Sequence, residues 1–178
     1  MNINAKIRKD KKLLLQTKPP KQRAEADEVI QDRILTDPHF AACKSLCVFV
    51  PTEYEPALYR VIQTARERGA KVYAPKVCGD RLRFYLWDET TRWTTSGFGI
   101  AEPQGGEEAT DADLILVPMV AYRGLDRLGH GKGYYDRFLA NAKGYKMGVA
   151  YACQRADFEV LPHDQPMDKV ITEEEICE

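Results

Sequence analysis

Residues 45–74 decide the fold, because SLCVFV at residues 45–50 and KVYA at residues 71–74 flank a helical pattern. SLCVFV is a short apolar run that stops at Pro51, which is typical of a strand buried on both faces. The apolar residues between the two segments recur at helical spacing and end before Gly69; they are Leu58, Val61, Ile62 and Ala65. A strand, a helix and a second strand in this order form a βαβ unit with parallel strands. This segment therefore predicts an α/β fold.

Further strand patterns follow toward the C-terminus. Leu82, Phe84 and Leu86 alternate with Arg83, Tyr85 and Trp87, which indicates a strand with one exposed face. Buried strands are predicted at 114–117, 147–150 and 169–172. No repeat, linker or second apolar core is visible. We therefore expect residues 1–178 to form a single α/β domain with a largely parallel central sheet.

Two helical patterns precede the βαβ unit, and Pro19-Pro20 separates them. In the first pattern, an apolar side is formed by Ile3, Ile7 and Leu14, and a polar stripe beside it by Asn4, Arg8 and Lys11. Residues 1–23 carry eight Lys or Arg residues and a single Asp. The basic stripe has two interpretations: a solvated helix face, or side chains that reach over an anionic ligand.

The composition is that of an ordinary globular protein, with 44% hydrophobic residues, 30% charged residues and a formal net charge of −1. This charge balance gives no general reason to expect a nucleic-acid partner. No apolar run is long enough for a membrane span, and the first residues lack the apolar core of a signal peptide. We therefore expect a cytoplasmic protein. The five cysteines form no CxxC pair and no metal-ligand spacing with the histidines, which favours free thiols.

A glycine-rich segment, RLGHGKGYYDR at residues 127–137, lies between a predicted buried strand and a helical pattern. Such a turn lets backbone N–H groups converge on an anion, and the helix N-terminus adds partial positive charge. Three glycines permit close approach of a ligand to the backbone: Gly129, Gly131 and Gly133. Lys132 adds a mobile positive charge, and Arg127 adds a guanidinium group that can bind phosphate oxygens bidentately. These features predict phosphate binding.

Two common nucleotide-binding motifs do not fit this segment. GxxxxGK[ST] fails because no hydroxyl residue follows Lys132, and GxGxxG fails because Tyr134 occupies the position of the last glycine. Asp136 has two interpretations: a carboxylate that stabilises the first turn of a helix, or a ligand of Mg²⁺ beside bound phosphates. Asp164, within the turn at residues 162–166, is a second candidate metal ligand.

The sequence RLGHGKGYYDRFL resembles the signature of 5-formyltetrahydrofolate cyclo-ligases, also called 5,10-methenyltetrahydrofolate synthetases. The resemblance extends through PPKQR at 19–23, VPTEYE at 50–55, GFGIAEP at 97–103, ILVP at 115–118 and HDQPMDKVITE at 163–173. It implies a Rossmann-like α/β/α sandwich and an ATP- and Mg²⁺-dependent ligase. This enzyme would phosphorylate the formyl oxygen of 5-formyltetrahydrofolate and cyclise it to 5,10-methenyltetrahydrofolate, releasing ADP and phosphate. We expect a reduced folate and ATP as partners, and a monomer or weak dimer.

The resemblance also implies roles for individual residues. The expected ATP-binding residues are Asn4, Lys6, Arg8, Arg127, Leu128, Gly129, His130, Gly131, Lys132, Gly133, Tyr134 and Tyr135. Among them, Lys132 and Arg127 would act on the transferring phosphoryl group, while Asp136 and Asp164 would hold Mg²⁺. The reduced folate would contact Val50, Glu55, Phe98 and Tyr134. Core packing is the alternative for Phe98 and the tyrosines.

Two departures from the family pattern bear on function. Asn4 stands where related sequences usually carry Lys, and AYRGLDR at 121–127 is one residue shorter than the usual segment and lacks its Asp. Lys6 is a possible substitute for the missing charge. Two further functions therefore stay open: a family relative with a different substrate, and a non-catalytic protein that binds a folate or a nucleotide.

Overall fold

The computed structural model describes residues 1–178 and contains five α-helices, one 3₁₀-helix and eleven β-strands. The helices are α1 (Ile3–Thr17), α2 (Pro20–Leu35), α3 (Pro38–Ala42), α4 (Tyr59–Glu67), α5 (Tyr134–Asn141) and the 3₁₀-helix η1 (Ala152–Gln154). The strands are β1 (Ser45–Val48), β2 (Lys71–Cys78), β3 (Arg81–Leu86), β4 (Trp93–Thr95), β5 (Ala101–Pro103), β6 (Leu114–Pro118), β7 (Ala121–Arg123), β8 (Asp126–Leu128), β9 (Tyr145–Val149), β10 (Lys169–Ile171) and β11 (Ile176–Cys177). None of the helices combines the length and the apolar composition that a membrane span requires.

Seven strands form the central sheet in the order β11-β10-β9-β6-β1-β2-β3. The five inner strands run parallel, and each edge strand pairs antiparallel with its neighbour. The β1–α4–β2 unit is present, with Ser45 opposite Lys71 in a parallel register. The sheet confirms the predicted α/β fold with a largely parallel sheet.

The strands are buried because both faces of the sheet are covered. On β1, Leu46 and Val48 join a core cluster together with residues of α2 and α4, whereas Cys47 joins a second cluster beside α5. The same alternation holds on β6, where Leu114 and Leu116 face the first cluster. Each face therefore packs against its own helices, which gives the α/β/α layers implied by the resemblance.

The chain leaves the sheet in opposite directions at β1 and β6. From β1 it crosses through α4 to β2 on one side, and from β6 it crosses through α5 to β9 on the other side. Adjacent strands with diverging connections open a crevice at their carboxyl ends, where open α/β sheets bind ligands. The loop after β1 and the glycine-rich segment both lie at this edge.

Helix α1 turns its polar stripe toward the rest of the protein, and of its named apolar side only Ile7 packs against a core cluster. Ile3 is 52% exposed and Leu14 is 41% exposed, while Asn4 and Leu15 are buried. The Lys11 ammonium donates hydrogen bonds to the carbonyl oxygens of Cys153 and Arg155, at 2.6 and 2.7 Å. The polar stripe faces inward because α1 covers backbone carbonyls in and after η1, and these groups require donors rather than apolar side chains.

Two small hairpins were not predicted from the sequence. Strands β4 and β5 pair antiparallel outside the central sheet, and strands β7 and β8 form a second antiparallel ribbon. The glycine-rich segment therefore begins in β8, which is not one of the parallel strands. Each hairpin strand has only three residues, too few for an alternating pattern to indicate it.

Candidate active site

The glycine-rich loop joins β8 to α5 and turns sharply in two places. Gly131 has a φ of +100° and Gly133, the N-cap of α5, has a φ of +73°. These left-handed conformations favour glycine because a Cβ atom is strained there. The turns direct the loop toward the N-terminal end of α5, so its backbone N–H groups can face an anion.

A cleft with a volume of about 520 Å³ opens between this loop, α1 and the segment after η1. Its lining residues are Asn4, Arg8, Leu128, Gly129, Gly131, Lys132, Gly133, Asp136, Arg137, Ala140, Leu161, His163, Asp164 and Gln165. Most of the residues expected to bind ATP and both candidate metal ligands thus share one cavity.

Arg8 and Lys132 supply positive charge on two sides of the cleft. The Arg8 Nε donates a hydrogen bond to the Gly129 carbonyl oxygen at 2.8 Å, which holds α1 against the loop. Lys132 is exposed at the tip of the loop. The basic stripe of α1 therefore reaches over the cleft at Arg8 and is not simply a solvated face.

Arg127 lies behind the loop and not in the cleft where phosphate binding was expected. Its side chain is only 3% exposed, and its Nε donates to the Pro118 carbonyl oxygen at 2.7 Å. Its Nη1 lies 3.7 Å from Asp136 Oδ1, and its guanidinium lies 5.2 Å from the Tyr135 ring centroid. Burial lowers the pKa of Arg127, and the nearby Asp136 carboxylate opposes this shift. Arg127 thus supports the loop and Asp136 from behind.

The two candidate metal ligands are each held by one backbone hydrogen bond. The Gln165 N–H donates to Asp136 Oδ1 at 3.1 Å, and the Leu161 N–H donates to Asp164 Oδ2 at 2.8 Å. The second oxygen of each carboxylate accepts no hydrogen bond from the chain. The structure contains no cluster of three or more His, Cys, Asp or Glu residues arranged to hold a metal ion, so the chain offers only two carboxylates here. Two carboxylates with free oxygens fit Mg²⁺, which takes its remaining ligands from phosphate and water.

Asn4 and Lys6, both expected to bind ATP, lie in different environments. Asn4 is buried and makes reciprocal hydrogen bonds with the backbone N–H and carbonyl of Glu159, both at 2.9 Å. Lys6 is exposed and does not line the cleft. Asn4 thus anchors α1 to the segment that leads to Asp164, and Lys6 does not replace the missing lysine in this arrangement.

The residues expected to bind the folate are divided between two regions. Val50 and Glu55 follow β1 and are half-buried. Burial raises the pKa of the Glu55 carboxyl, although the Thr52 N–H donates to it at 3.0 Å. Burial and the nearby Glu55 charge also raise the pKa of Tyr135. The structure therefore brings Glu55 close to the glycine-rich loop.

Phe98 and Tyr134 lie farther out. Phe98 is 61% exposed at the tip of the β4–β5 hairpin, so core packing does not explain it. The Tyr134 hydroxyl lies 3.5 Å from the Gly79 carbonyl oxygen, and the Arg137 guanidinium lies 5.2 Å from the Tyr134 ring centroid. Tyr134 thus faces the turn between β2 and β3.

His130 is exposed next to the cleft. Desolvation by neighbouring protein atoms, together with the Arg127 and Arg8 guanidinium charges, lowers the pKa of its imidazole. The sequence interpretation missed three polar residues that line the cleft: Arg137, His163 and Gln165. All three lie within sequence segments that carry the family resemblance, so a signal for them existed.

Comparisons with known proteins agree on one family. The model of the 5-formyltetrahydrofolate cyclo-ligase family matches residues 1–173. A probable 5-formyltetrahydrofolate cyclo-ligase of Schizosaccharomyces pombe is 30% identical over 162 residues, which cover 78% of this chain and 79% of the relative. The Mycolicibacterium smegmatis 5-formyltetrahydrofolate cyclo-ligase is 33% identical over 145 residues, covering 72% of this chain and 73% of the relative.

A solved structure extends the agreement to the fold. The NMR structure of Aquifex aeolicus 5,10-methenyltetrahydrofolate synthetase superposes with a TM-score of 0.86 at 29% identity. The superposition covers 98% of this chain and 92% of the Aquifex protein, so the two proteins share the overall fold.

Proposed function

The chain belongs to the 5-formyltetrahydrofolate cyclo-ligase family and converts 5-formyltetrahydrofolate to 5,10-methenyltetrahydrofolate, and we propose that it does so by ATP-dependent phosphorylation of the formyl oxygen. One observation carries the proposed mechanism. The 520 Å³ cleft combines a glycine-rich loop at a helix N-terminus, the Arg8 guanidinium, the Lys132 ammonium and two carboxylates. This combination suits a triphosphate and its metal, and phosphoryl transfer depends on positioning and charge neutralisation of that kind.

The proposed reaction has two steps. The formyl oxygen attacks the γ-phosphorus of ATP and forms a new P–O bond to it, and ADP departs as the leaving group. The amine nitrogen at position 10 of the folate then attacks the activated carbon, phosphate leaves with the C–O bonding electrons, and the nitrogen releases its proton. No nucleophile from the chain is needed, and the chain's task is to hold the two substrates in line.

Lys132 is the residue best placed to act on the transferring group. Lys132 is exposed at the tip of the loop and lines the cleft. We infer that it neutralises charge that develops on the γ-phosphoryl oxygens. Arg127, which is buried behind the loop, supports this step indirectly by fixing Asp136 and the loop backbone.

Asp136 and Asp164 would hold Mg²⁺ through the carboxylate oxygens that the chain leaves free. When bound, Mg²⁺ would neutralise phosphate charge and orient the β- and γ-phosphates. The Gln165 and Leu161 N–H groups keep both carboxylates aimed at the cleft.

We infer that the reduced folate lies between the loop after β1 and the glycine-rich loop. The Glu55 charge lies near enough to Tyr135 to raise the pKa of its hydroxyl. Val50 belongs to the loop after β1, Tyr134 lies farther out and faces the β2–β3 turn, and the exposed ring of Phe98 is available to cover the pterin from the β4–β5 hairpin.

We propose that residues 1–178 form one domain, with the groups expected to bind ATP and Mg²⁺ in one cleft. Whether a weak dimer forms, and whether the protein is cytoplasmic, stay predictions from the sequence.

The proposed route is tested by following the formyl oxygen. The substrate carries a heavy oxygen isotope in its formyl group, and mass spectrometry analyses the released phosphate. Transfer of the label to phosphate is the expected result, since the formyl oxygen leaves attached to phosphorus. Release of unlabelled phosphate alongside methenyltetrahydrofolate would overturn the phosphorylation step, although not the overall cyclisation.

A further inference from the structure

The segment PPKQR at residues 19–23 is part of the family resemblance, but the site described above gives it no role. It forms the start of α2, and its last residue faces the loop after β1. The Arg23 Nη1 donates a hydrogen bond to the Glu53 carbonyl oxygen at 2.6 Å. The Arg23 guanidinium also lies 5.4 Å from the Tyr54 ring centroid. Arg23 therefore holds the loop just before Glu55.

One helical turn later, Asp27 holds the same loop just after Glu55. Its Oδ1 accepts hydrogen bonds from the Ala57 N–H at 3.2 Å and from the Tyr151 hydroxyl at 2.6 Å. The Tyr151 hydroxyl also lies 3.4 Å from the Glu55 carbonyl oxygen. Tyr151 is almost fully buried, so it is a rigid support for both groups. Burial raises the pKa of the Asp27 carboxyl, which shows that this carboxyl is partly removed from water.

These contacts go to backbone atoms on both sides of Glu55. The spacing of Arg23 and Asp27 places both side chains on one face of α2, because residues four apart are neighbours on a helix. Glu55 also accepts the Thr52 N–H, so its carboxylate direction depends on the shape of this short loop. The position of the Glu55 carboxylate near Tyr135 is thus set by α2 rather than by the loop alone.

We propose that Arg23 and Asp27 are positioning residues for the reduced folate, which act by fixing residues 52–57 so that Glu55 faces the substrate. This inference rests on the proposed placement of the folate beside Glu55. Neither residue touches the ATP cleft, so their effect is confined to the folate.

The test compares Asp27→Ala with the conservative Asp27→Asn, whose side-chain oxygen can still accept both hydrogen bonds. The matched control is Asp32→Ala on the same helix, because the Asp32 carboxylate is 64% exposed and pairs with Arg60 on α4. Initial rates are measured against 5-formyltetrahydrofolate at saturating ATP, and against ATP at saturating folate. Equilibrium dialysis measures folate binding directly.

Loss of one hydrogen-bond network in Asp27→Ala should raise the KM for 5-formyltetrahydrofolate by about tenfold, with an ATP KM within about twofold of wild type. Asp27→Asn should recover most of the affinity, and Asp32→Ala should match wild type. A general structural role would lower stability and active fraction without separating the two KM values. An unchanged folate KM, or equal changes in both KM values, would overturn the proposal.

Two further measurements keep the inference testable. If Asp27→Ala does not fold, Tyr151→Phe removes only one hydroxyl and should raise the folate KM in the same direction; an unchanged KM refutes the role. In the double variant Asp27→Ala/Glu55→Gln, the two effects on folate binding should be less than additive, since Asp27 acts through Glu55. Additive effects would contradict the claim that Asp27 acts through Glu55. Equilibrium dialysis separates the positioning role of Asp27 from the proposed reaction. If folate binding depends on Asp27 but no turnover occurs, only the proposed reaction is refuted.

Discussion

Replacing Gly131 by alanine separates the backbone requirement of the loop from its role in holding Arg8. Gly131 has a φ of +100°, and an added Cβ would lie 3.4 Å from the Arg8 Cζ. Gly124, in the β7–β8 turn, is the matched control: its φ is +59° and an added Cβ would meet nothing within 4 Å. Both variants place alanine in the left-handed region, but only Gly131→Ala crowds the guanidinium.

The structure gives separate magnitudes for the two effects. An L-residue in the left-handed region costs about 1–2 kcal/mol, so both variants should lose stability by a similar amount. For a chain of this size, that loss lowers the Tm by roughly 2–8 °C. The added methyl group lies in van der Waals contact with the Arg8 guanidinium, so relaxation of the strained backbone would push it against Arg8. Loss of the charged contact of Arg8 with phosphate is worth about 1.5–3 kcal/mol. Gly131→Ala should therefore raise the KM for ATP by about 10- to 150-fold, while Gly124→Ala leaves it unchanged.

The assay pairs thermal unfolding with initial rates at varied ATP. Equal losses of Tm with an ATP effect in Gly131→Ala alone are the expected result. If both variants bind ATP as wild type does, the placement of Arg8 against the phosphates is refuted. If Gly124→Ala weakens ATP binding equally, the effect comes from backbone strain and not from Arg8.

Three other substitutions give separate tests. Lys132→Ala should lower kcat by at least about 100-fold with an unchanged Tm, because the lysine is exposed and acts on the phosphoryl group. The control Lys143→Ala should leave kcat intact. Near-normal turnover of Lys132→Ala would contradict the role of Lys132 in phosphoryl transfer. Asp164→Asn should shift the Mg²⁺ titration of activity to higher concentration, and an unchanged titration would mean that Asp164 is only the acceptor for the Leu161 N–H. Asp37→Ala should destabilise the fold by about 3–5 kcal/mol, because it leaves the buried Lys169 ammonium without its buried partner. A Tm near that of wild type would show that Glu178 or water replaces Asp37 as the partner of Lys169.

The fold could be predicted from the sequence where local patterns and long-range packing agree. SLCV at 45–48 and KVYA at 71–74 lie in strands because both faces of the sheet are covered, which favours apolar residues there; the first strand ends two residues before the predicted Val50. The antiparallel edge strand at residues 81–86 was also visible from its alternation. The family resemblance supplied the layers that periodicity alone does not determine.

The N-terminal helix shows why the rest was not predictable. Periodicity assumes that the inner side of a helix is apolar, but the inner side of α1 faces backbone carbonyls of residues 153, 155 and 159 and the loop carbonyl of Gly129. Which side a polar stripe faces depends on these distant groups, and they cannot be located before the chain is folded.

The candidate site was predicted in composition but not in geometry. The family resemblance implied that Lys132 and both aspartates belong to one site, and the structure places them in one cleft. It also indicated Arg127, whose guanidinium lies behind the loop, where its Nε donates to the Pro118 carbonyl oxygen. A residue type can indicate phosphate chemistry, but the direction of its side chain depends on the hairpin that carries it.

The most direct test of the account mixes the purified protein with 5-formyltetrahydrofolate and Mg²⁺, with and without ATP, and follows the absorbance of 5,10-methenyltetrahydrofolate. We expect an absorbance rise that requires ATP and is accompanied by the release of stoichiometric ADP. No rise from folded protein that still binds ATP would contradict it, and would mean that the cleft serves a different substrate or binding alone.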